Sequence, residues 1–216
     1  MPGPLAEVLA SGAAELGVPL AAGQVETLLA YVRLLEKWGR AYNLTAVATP
    51  GAMVVRHLLD SLAIGPYLRG ERCLDVATGA GLPGLVLAVA YPDRRWTLLD
   101  SSGKKMRFCR QAAIELGLAT VEVVQARVEH FRPERSFDSV TARAWGRLEE
   151  VLGKVTRLVR PGGRILVMKG VYPAAELADL THPSGPVSVH RLAVPGLAAA
   201  RHLVVVEVDA PADPDE

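Results

Sequence analysis

The sequence predicts an α/β protein with an open, doubly wound parallel sheet, a helical segment before it and an antiparallel pair of strands at its end. From Arg72 onward, apolar runs of strand length alternate with helical stretches, which is the pattern of successive βαβ units. Near the C-terminus two strand-like runs follow each other with no full helix between them. A connection that short favours antiparallel pairing.

The N-terminal part, residues 1–67, is predicted to be helical. Apolar side chains in residues 24–38 recur at helical spacing and form one stripe. A second helix is predicted to begin at Pro50, because Thr49 supplies an N-cap and proline suits the first helical position. Residues 41–47, AYNLTAV, connect the two helices and are too polar for a core element.

From Arg72 the periodicity is that of strands. The predicted strands are CLDVA (73–77), WTLLD (96–100), VEVVQ (121–125), FDSVTAR (137–143), RILVMKG (164–170), PVSVHRLAV (186–194) and HLVVVEV (202–208). The predicted helices between the first five are 82–90, 103–116 and 147–159, with a short turn near 126–131. The helix from 103 is well defined, because Ser102 caps it and Gly117 ends it.

The predicted organisation is a helical extension (1–67), a sheet domain (68–209) and an acidic tail (210–216) that we expect to be disordered. Half of the 216 residues are apolar and 22% are charged, as in an ordinary globular protein. No apolar run approaches the roughly 20 residues that span a bilayer.

Two further features suggest where the protein works. No Lys or Arg precedes Arg33, so the basic region of a signal peptide is missing. The only cysteines, Cys73 and Cys109, support neither a disulfide framework nor a thiolate metal site. We predict a cytoplasmic monomer with no metal site and no membrane contact.

The net charge of +1 is unevenly spread. The last ten residues contain five acids and no base, which leaves +6 for residues 1–206. Residues 94–110 contain six bases against Asp100 alone. A run of this kind is often a solvated helix face, but beside a nucleotide-binding loop it also predicts a polyanionic partner.

The stretch LDVATGAGLPG (74–84) follows the first predicted strand. Its glycines, Gly79, Gly81 and Gly84, fit G-x-G-x-x-G, the pattern of a nucleotide-binding turn between a strand and a helix. Asp75 is predicted to be buried. Asp100, sixteen residues after Gly84, ends the second strand, where an acid binds ribose hydroxyls. Both NAD and S-adenosylmethionine remain compatible with these residues.

Three features favour the methyl donor. The turn RPGGR (160–164) before the fifth strand is typical of methyltransferases. The terminal antiparallel pair suits the seven-stranded sheet of the class I S-adenosylmethionine-dependent methyltransferases, whereas the dinucleotide fold ends in parallel strands. Nothing after residue 143 is similar to a second mononucleotide-binding half. The sequence therefore predicts a class I methyltransferase, Rossmann-like, behind an N-terminal helical extension.

Several motifs in order also carry a family resemblance, from roughly Tyr31 to Val208. They are YNLTAV (42–47), VRHLLDSL (55–62), DVATGAGLPG (75–84), TLLDSSGKKMRF (97–108), ARVEHF (126–131), TARAW (141–145), MKG (168–170) and VPGLAAARHLVVV (194–206). With them the chain resembles the bacterial 16S rRNA guanine-N7 methyltransferases, the RsmG family of glucose-inhibited division protein B (GidB).

The resemblance implies an enzyme that uses S-adenosylmethionine to methylate N7 of one guanine near the decoding region of 16S rRNA, in the small ribosomal subunit or an assembly intermediate. The cofactor contacts that it implies are Ala77, Leu82, Val128, Glu129 and Arg143; Gly79, Gly81 and Asp100 join them on the physical grounds above. The family usually has glycine where this chain has Ala77. Alanine is harmless there at ordinary φ and strained only if the backbone needs a positive φ.

Methylation of N7 needs no general base, because this atom carries a lone pair and no proton. Catalysis therefore requires in-line placement and exclusion of water. Arg143 and Lys169, which end the fourth and fifth strands, are predicted to position the guanine, with a structural ion pair as the alternative for each. Lys104, Arg107 and Arg127 are predicted phosphate contacts, with a solvated surface role as their alternative.

His57, Asp60 and Ser61 share a face of the second predicted helix. We predict that this face and Asn43 close over the cofactor site or touch RNA; the alternative is polar packing against the sheet. Trp145 is predicted to be core, although it is the one tryptophan placed to stack on a base.

Two other functions remain open from the sequence. An RNA-binding assembly factor would keep the fold and have lost methyl transfer through Ala77. An NAD-dependent oxidoreductase would bind the dinucleotide and not S-adenosylmethionine.

Overall fold

Three helices begin the chain and lie against one side of the sheet. The structure, a computed structural model, describes residues 3–42, 44–181 and 183–209, so Asn43 and the tail 210–216 lie outside the described residues. The helices are α1 (Pro4–Glu15), α2 (Ala22–Tyr42) and α3, which runs through an α segment (Pro50–Met53), a π segment (Val54–Leu59) and a second α segment (Asp60–Leu62).

Helix α3 begins as predicted. Thr49 Oγ1 accepts the Ala52 N–H at 3.4 Å, and Pro50 occupies the first turn. The π geometry of residues 54–59 has no counterpart in the prediction. Because a π segment changes the angular spacing of side chains, the face shared by His57 and Asp60 does not follow from ideal α-helical spacing.

Seven strands form one sheet, confirming the predicted class. They are β1 (Arg72–Val76), β2 (Arg95–Asp100), β3 (Val121–Gln125), β4 (Phe137–Arg143), β5 (Val159–Lys169), β6 (Val187–Arg191) and β7 (His202–Glu207). Their order is β3-β2-β1-β4-β5-β7-β6. The first five are parallel, and β7 pairs antiparallel with both β5 and β6, as predicted for the terminal pair.

The connecting helices are α4 (Gly84–Ala90), α5 (Gly103–Glu115), α6 (Leu148–Val155) and α7 (Ala174–Ala178), with 3-10 turns at Gly65–Tyr67, Val128–His130 and Thr156–Leu158. Helix α7 was not predicted. It has five residues and buries none of them, so it carries no apolar pattern that the sequence could reveal.

The prediction of a turn at residues 160–164 is wrong in detail. These residues form the irregular start of β5, with a register shift against β4 between Phe137 and Ser139. Gly162 has a φ of +72°, and a Cβ on Gly163 would lie 2.9 Å from the carbonyl oxygens of Arg160 and Asp138. The glycines thus allow a bulge in a strand rather than a separate turn.

Two apolar clusters cover the two faces of the sheet. The first joins side chains of the N-terminal helices, such as Leu9 and Leu59, to Leu98 of β2 and Leu203 of β7. The second packs α6 against β1, β4, β5 and β7. The N-terminal helices therefore share a core with the sheet.

Candidate active site

The loop between β1 and α4 has the backbone conformation that its glycines predict. Gly79 and Gly81 have φ values of +61° and +91°. A Cβ on Gly81 would also lie 2.4 Å from Leu85 Cδ1, so this position requires glycine for both conformation and space. Ala77 has a φ of +53°, which is the strained case for a residue with a Cβ.

The Asp75 side chain hydrogen-bonds to both ends of this loop. Its carboxylate is fully buried and accepts hydrogen bonds from Thr78 Oγ1 at 2.5 Å, Thr141 Oγ1 at 3.0 Å and the Gly84 N–H at 2.9 Å. Burial raises the pKa of this carboxyl to about 6, although the hydrogen bonds act to lower it. A Cβ on Gly84 would lie 2.8 Å from Asp75 Oδ2, which explains the third glycine of the pattern.

Asp100 ties the same loop to the end of β2. Its Oδ2 accepts the Gly79 N–H at 3.0 Å, and its Oδ1 accepts the Ser102 N–H at 2.8 Å. The side chain thus sits where the sequence predicts an acid for a ribose. It also shapes the glycine turn.

The N-terminal helices reach this loop through Tyr31, which sequence reasoning missed. The Tyr31 hydroxyl donates a hydrogen bond of 2.7 Å to the carbonyl of Ala80, and the side chain is fully buried. Burial raises the pKa of Tyr31 well above its usual value. In the sequence, only its position within the apolar stretch of the predicted helix 24–38 could have drawn attention to Tyr31.

A cavity of about 200 Å³ lies beside the loop, and we call it the loop cavity. Its walls include five residues predicted for the site, namely Ala77, Asp100, Arg127, Val128 and Glu129, together with Trp145 and Lys154. Ala77 directly follows β1, Asp100 ends β2, and the other three residues lie in the turn after β3. Their meeting at one edge follows from parallel strand direction.

Lys154 completes the wall of the loop cavity opposite the glycine loop, and the sequence did not predict its contacts. Lys154 Nζ lies 5.4 Å from the centre of the Trp145 ring and 3.1 Å from Glu129 Oε1. The backbone N–H of Glu129, and then Lys154, lower the pKa of the Glu129 carboxyl. Trp145 is half-buried: it packs against the second apolar cluster, in line with the predicted core role, and it also lines the loop cavity.

A second cavity, of about 260 Å³, lies between α3 and the ends of β4 and β5, and we call it the arginine cavity. Its lining residues are Asp60, Arg143, Ala144, Met168, Lys169, Gly170 and Arg201. Arg143 and Lys169 thus meet at one cavity, as their strand-end positions predict. The segment 143–146 lies between the two cavities, since Trp145 lines one and Ala144 the other.

The predicted cations of the arginine cavity are both ion-paired, which was the alternative for each. Arg143 Nη1 lies 3.3 Å from Asp60 Oδ2, and Arg201 Nε donates to Asp60 Oδ1 at 2.8 Å. Lys169 Nζ donates to Glu176 Oε2 at 2.7 Å. The Asp60 side chain is only 4% exposed, whereas both arginine side chains keep about a fifth of their surface open.

His57 and Ser61 are buried, so of the two predicted roles of this face, closing over the cofactor site or touching RNA, their burial disfavours direct RNA contact. His57 Nε2 lies 2.7 Å from Thr45 Oγ1, and Ser61 Oγ is fully buried with no hydrogen-bond partner among the described residues. Burial, and then the neighbouring Arg143, lower the pKa of His57 to about 4, so it is neutral at pH 7. His57 therefore makes a polar packing contact, as in the alternative, and closure of this face over the cofactor site stays a prediction.

The basic stretch 94–110 does not form one surface. Lys104 and Arg107 are exposed on the first turns of α5, and Lys104 Nζ lies 4.9 Å from the centre of the Tyr42 ring. Arg94 and Arg95 precede or begin β2, whose six residues separate them from α5 by about 20 Å at about 3.3 Å per residue. Only the bases after β2 share an edge with the two cavities.

Four predicted cofactor residues are not among those that line the loop cavity, namely Gly79, Gly81, Leu82 and Arg143. Gly79 and Gly81 belong to the glycine turn beside it. Leu82 is 8% exposed and packs in the first apolar cluster. Arg143 lines the arginine cavity instead.

None of the helices that the structure describes combines the length and apolarity that crossing a membrane requires. Across residues 3–42, 44–181 and 183–209, no three His, Cys, Asp or Glu side chains cluster in a way that could hold a metal ion.

The sheet order and the two cavities at its carboxyl edge define the class I methyltransferase fold. The O-methyltransferase TomG from Streptomyces achromogenes, solved with S-adenosylmethionine, matches this chain with a TM-score of 0.57 at 17% identity. The match covers 82% of this chain and 89% of TomG. At this identity it shows the fold alone.

Sequence relatives are more specific. The model of the family described as rRNA small subunit methyltransferase G (GidB) matches residues 24–204. The proteins named ribosomal RNA small subunit methyltransferase G in Alkalilimnicola ehrlichii and Methylococcus capsulatus are 50% and 51% identical to this chain. These matches cover 93% and 91% of this chain and 91% and 95% of the relatives. The chain belongs to the rRNA small subunit methyltransferase G family, which leaves the oxidoreductase alternative without support.

Proposed function

We propose that the protein transfers a methyl group from S-adenosylmethionine to N7 of one guanine in 16S rRNA, near the decoding region. The substrate is the small ribosomal subunit or an assembly intermediate, and the enzyme acts as a cytoplasmic monomer. The observation that carries this proposal is the pair of cavities on either side of residues 143–146, one beside a nucleotide-binding loop and one lined by cations.

The loop cavity fits the cofactor. Each oxygen of the Asp100 carboxylate accepts one backbone N–H, and a carboxylate has about four lone-pair positions. Asp100 therefore keeps acceptor capacity for two ribose hydroxyls while it holds the glycine turn. Ala77, Val128 and Glu129 line the same space and supply contacts for the remainder of the nucleoside.

When bound, S-adenosylmethionine supplies a methyl group on a sulfonium centre. The residues of the chain then have to orient the guanine and keep water out, because N7 offers its lone pair without losing a proton. His57, neutral and buried, is not required as a base in this scheme. Arg143 and Lys169 serve to position the target nucleotide at the arginine cavity.

Lys104, Arg107 and Arg127 are the proposed phosphate contacts outside the two cavities. All three are exposed, and Arg127 also lines the loop cavity. Asn43 stays a predicted residue for closing over the cofactor site or touching RNA. Gly79 and Gly81 are predicted to contact the cofactor through their backbone. Leu82 is also a predicted cofactor contact, and because it is buried the loop would have to open for this contact to form.

A second candidate function is an RNA-binding assembly factor without methyl transfer. The observation that favours it is the φ of +53° at Ala77, where the family usually has glycine. Ala77 lines the loop cavity, so its methyl group takes space beside the cofactor.

One assay separates the two functions. Purified protein is incubated with S-adenosylmethionine labelled in its methyl group and with small ribosomal subunits that lack the modification. We expect about one label per subunit with the natural chain. If only the Ala77→Gly variant transfers label, the assembly factor is the correct function; if neither does while both bind cofactor, methylation of this particle is excluded.

A further inference from the structure

The buried carboxylate of Asp60 holds two arginines that are far apart in the sequence. Asp60 comes from α3, Arg143 from the end of β4, and Arg201 from the residue before β7. Each guanidinium binds a different oxygen of the same carboxylate, at 3.3 Å and 2.8 Å. The two cations therefore lie side by side at one wall of the arginine cavity.

This arrangement leaves an excess positive charge that faces the cavity. Two guanidinium groups share one carboxylate, Lys169 is balanced by Glu176, and His57 is neutral. In the described part of the chain, two of the five N–H groups of Arg201 are bonded, one to Asp60 and one to the carbonyl of Ala200. Donors thus remain for an acceptor that enters the cavity.

The reaction itself restricts what that acceptor is. The usual arginine contact with guanine is a fork to O6 and N7, and this contact would occupy the atom that has to be methylated. A phosphate group takes the same fork and leaves the base edge free. The guanidinium pair is thus suited to the backbone of the target strand and not to the reacting edge of the base.

We propose that Arg201, held beside Arg143 by the positioning residue Asp60, binds a phosphate group of the target nucleotide and so places the guanine for transfer. This inference rests on the proposed function. It assigns Arg201 a binding role and explains why Asp60 is buried next to the cavity. Arg143 then positions the guanine through its phosphate.

The test compares Arg201→Gln with Arg164→Gln on unmodified small subunits. Arg164 is a matched control, because its side chain is 19% exposed against 20% for Arg201 and it also pairs with a carboxylate, Glu207, at 2.7 Å. It lies in the middle of β5, five residues before Lys169 and outside the arginine cavity.

For Arg201→Gln we expect the KM for subunits to rise at least tenfold, since a charged hydrogen bond contributes about 1.5–3 kcal/mol, which is roughly 10-fold to 150-fold. The Kd for S-adenosylmethionine should stay within about twofold of the natural value, and the slope of log affinity against log salt should fall by about one. Arg201→Lys, which keeps the charge, should restore the salt slope and part of the affinity. Arg164→Gln should leave the KM unchanged.

Asp60→Asn supplies the second arm. If Asp60 acts by holding Arg201, its effect on KM should overlap with that of Arg201→Gln, and the double variant should be little worse than either single one. Fully additive effects would overturn the positioning role.

Filter binding of each variant to subunits gives the same comparison without turnover, so it still decides if no methyl is transferred by the natural chain. An Arg201→Gln protein that binds subunits like Arg164→Gln would overturn the proposal. So would weaker binding with an unchanged salt slope, because it contradicts the phosphate contact.

Discussion

Replacing Ala77 with glycine should stabilise the protein, although the substitution removes a side chain. Ala77 has a φ of +53°, and a left-handed conformation costs a residue with a Cβ about 1–2 kcal/mol. Glycine avoids this cost but loses about 0.5–1 kcal/mol of backbone entropy on folding. The expected net gain in the free energy of unfolding is about 0.5–1 kcal/mol.

For a chain of this length that gain corresponds to a rise in Tm of about 1–4 °C. Thermal unfolding followed by circular dichroism measures it. The matched control is Ala14→Gly, at an exposed position in α1, where glycine should destabilise by up to about 1 kcal/mol. Opposite signs for the two variants are the prediction. If Ala77→Gly lowers Tm as Ala14→Gly does, the account of residue 77 as strained is refuted.

Three further predictions concern the two cavities and the charges around them. Asp100→Asn should weaken S-adenosylmethionine binding at least tenfold in a calorimetric titration, because the amide loses acceptor positions for the ribose and for backbone N–H groups; unchanged affinity would place the ribose elsewhere. The folded state holds the pKa of Asp75 at about 6, above the ordinary 3.8, so the folded state binds more protons between these values and this group stabilises less as pH rises from 4 to 6. His57, with its pKa lowered to about 4, contributes a slope of opposite sign in both proteins, so the test is the difference between them: urea unfolding across that window should show stability falling more, or rising less, with pH in the natural chain than in Asp75→Asn. Equal slopes would contradict the raised pKa. Removing the charges of Lys104 and Arg107 should lower the RNA affinity, and the slope of log affinity against log salt should fall by about two. Arg95→Gln, at the opposite edge of the sheet, should leave both the affinity and the slope unchanged. An equal effect of Arg95→Gln would show that the bases act through net charge.

The loop and its acid could be predicted because their chemistry is local. A strand, a glycine pattern and an acid at the end of the next strand specify the loop conformation and the position of Asp100, and the structure places both there. The strand ends also brought Arg143 and Lys169 to one cavity. Residues before and after a strand lie at opposite edges of the sheet. Strand direction was therefore enough to predict that Arg94 and Arg95 lie far from Lys104, although in the sequence they form one basic stretch.

Other parts of the site depend on contacts between distant residues. The Asp60 carboxylate joins residues 83 and 141 positions away, and no local pattern marks such a pair. The π segment of α3 arises within a helix that has ordinary helical residues, and it accompanies the burial of His57 and Ser61. The positive φ of Ala77 is imposed by the surrounding loop, whereas alanine by itself favours a negative φ, so the residue type does not predict it.

Chemical mapping of the product tests most directly whether N7 of a guanine receives the methyl group. Small subunits methylated by the protein are reduced with borohydride and treated with aniline, which cleaves the RNA strand at 7-methylguanine. We predict one new cut at a single guanine near the decoding region, absent when S-adenosylmethionine is omitted. Label incorporated into the rRNA without any such cut would contradict the claim, because the methyl group would then be on another atom.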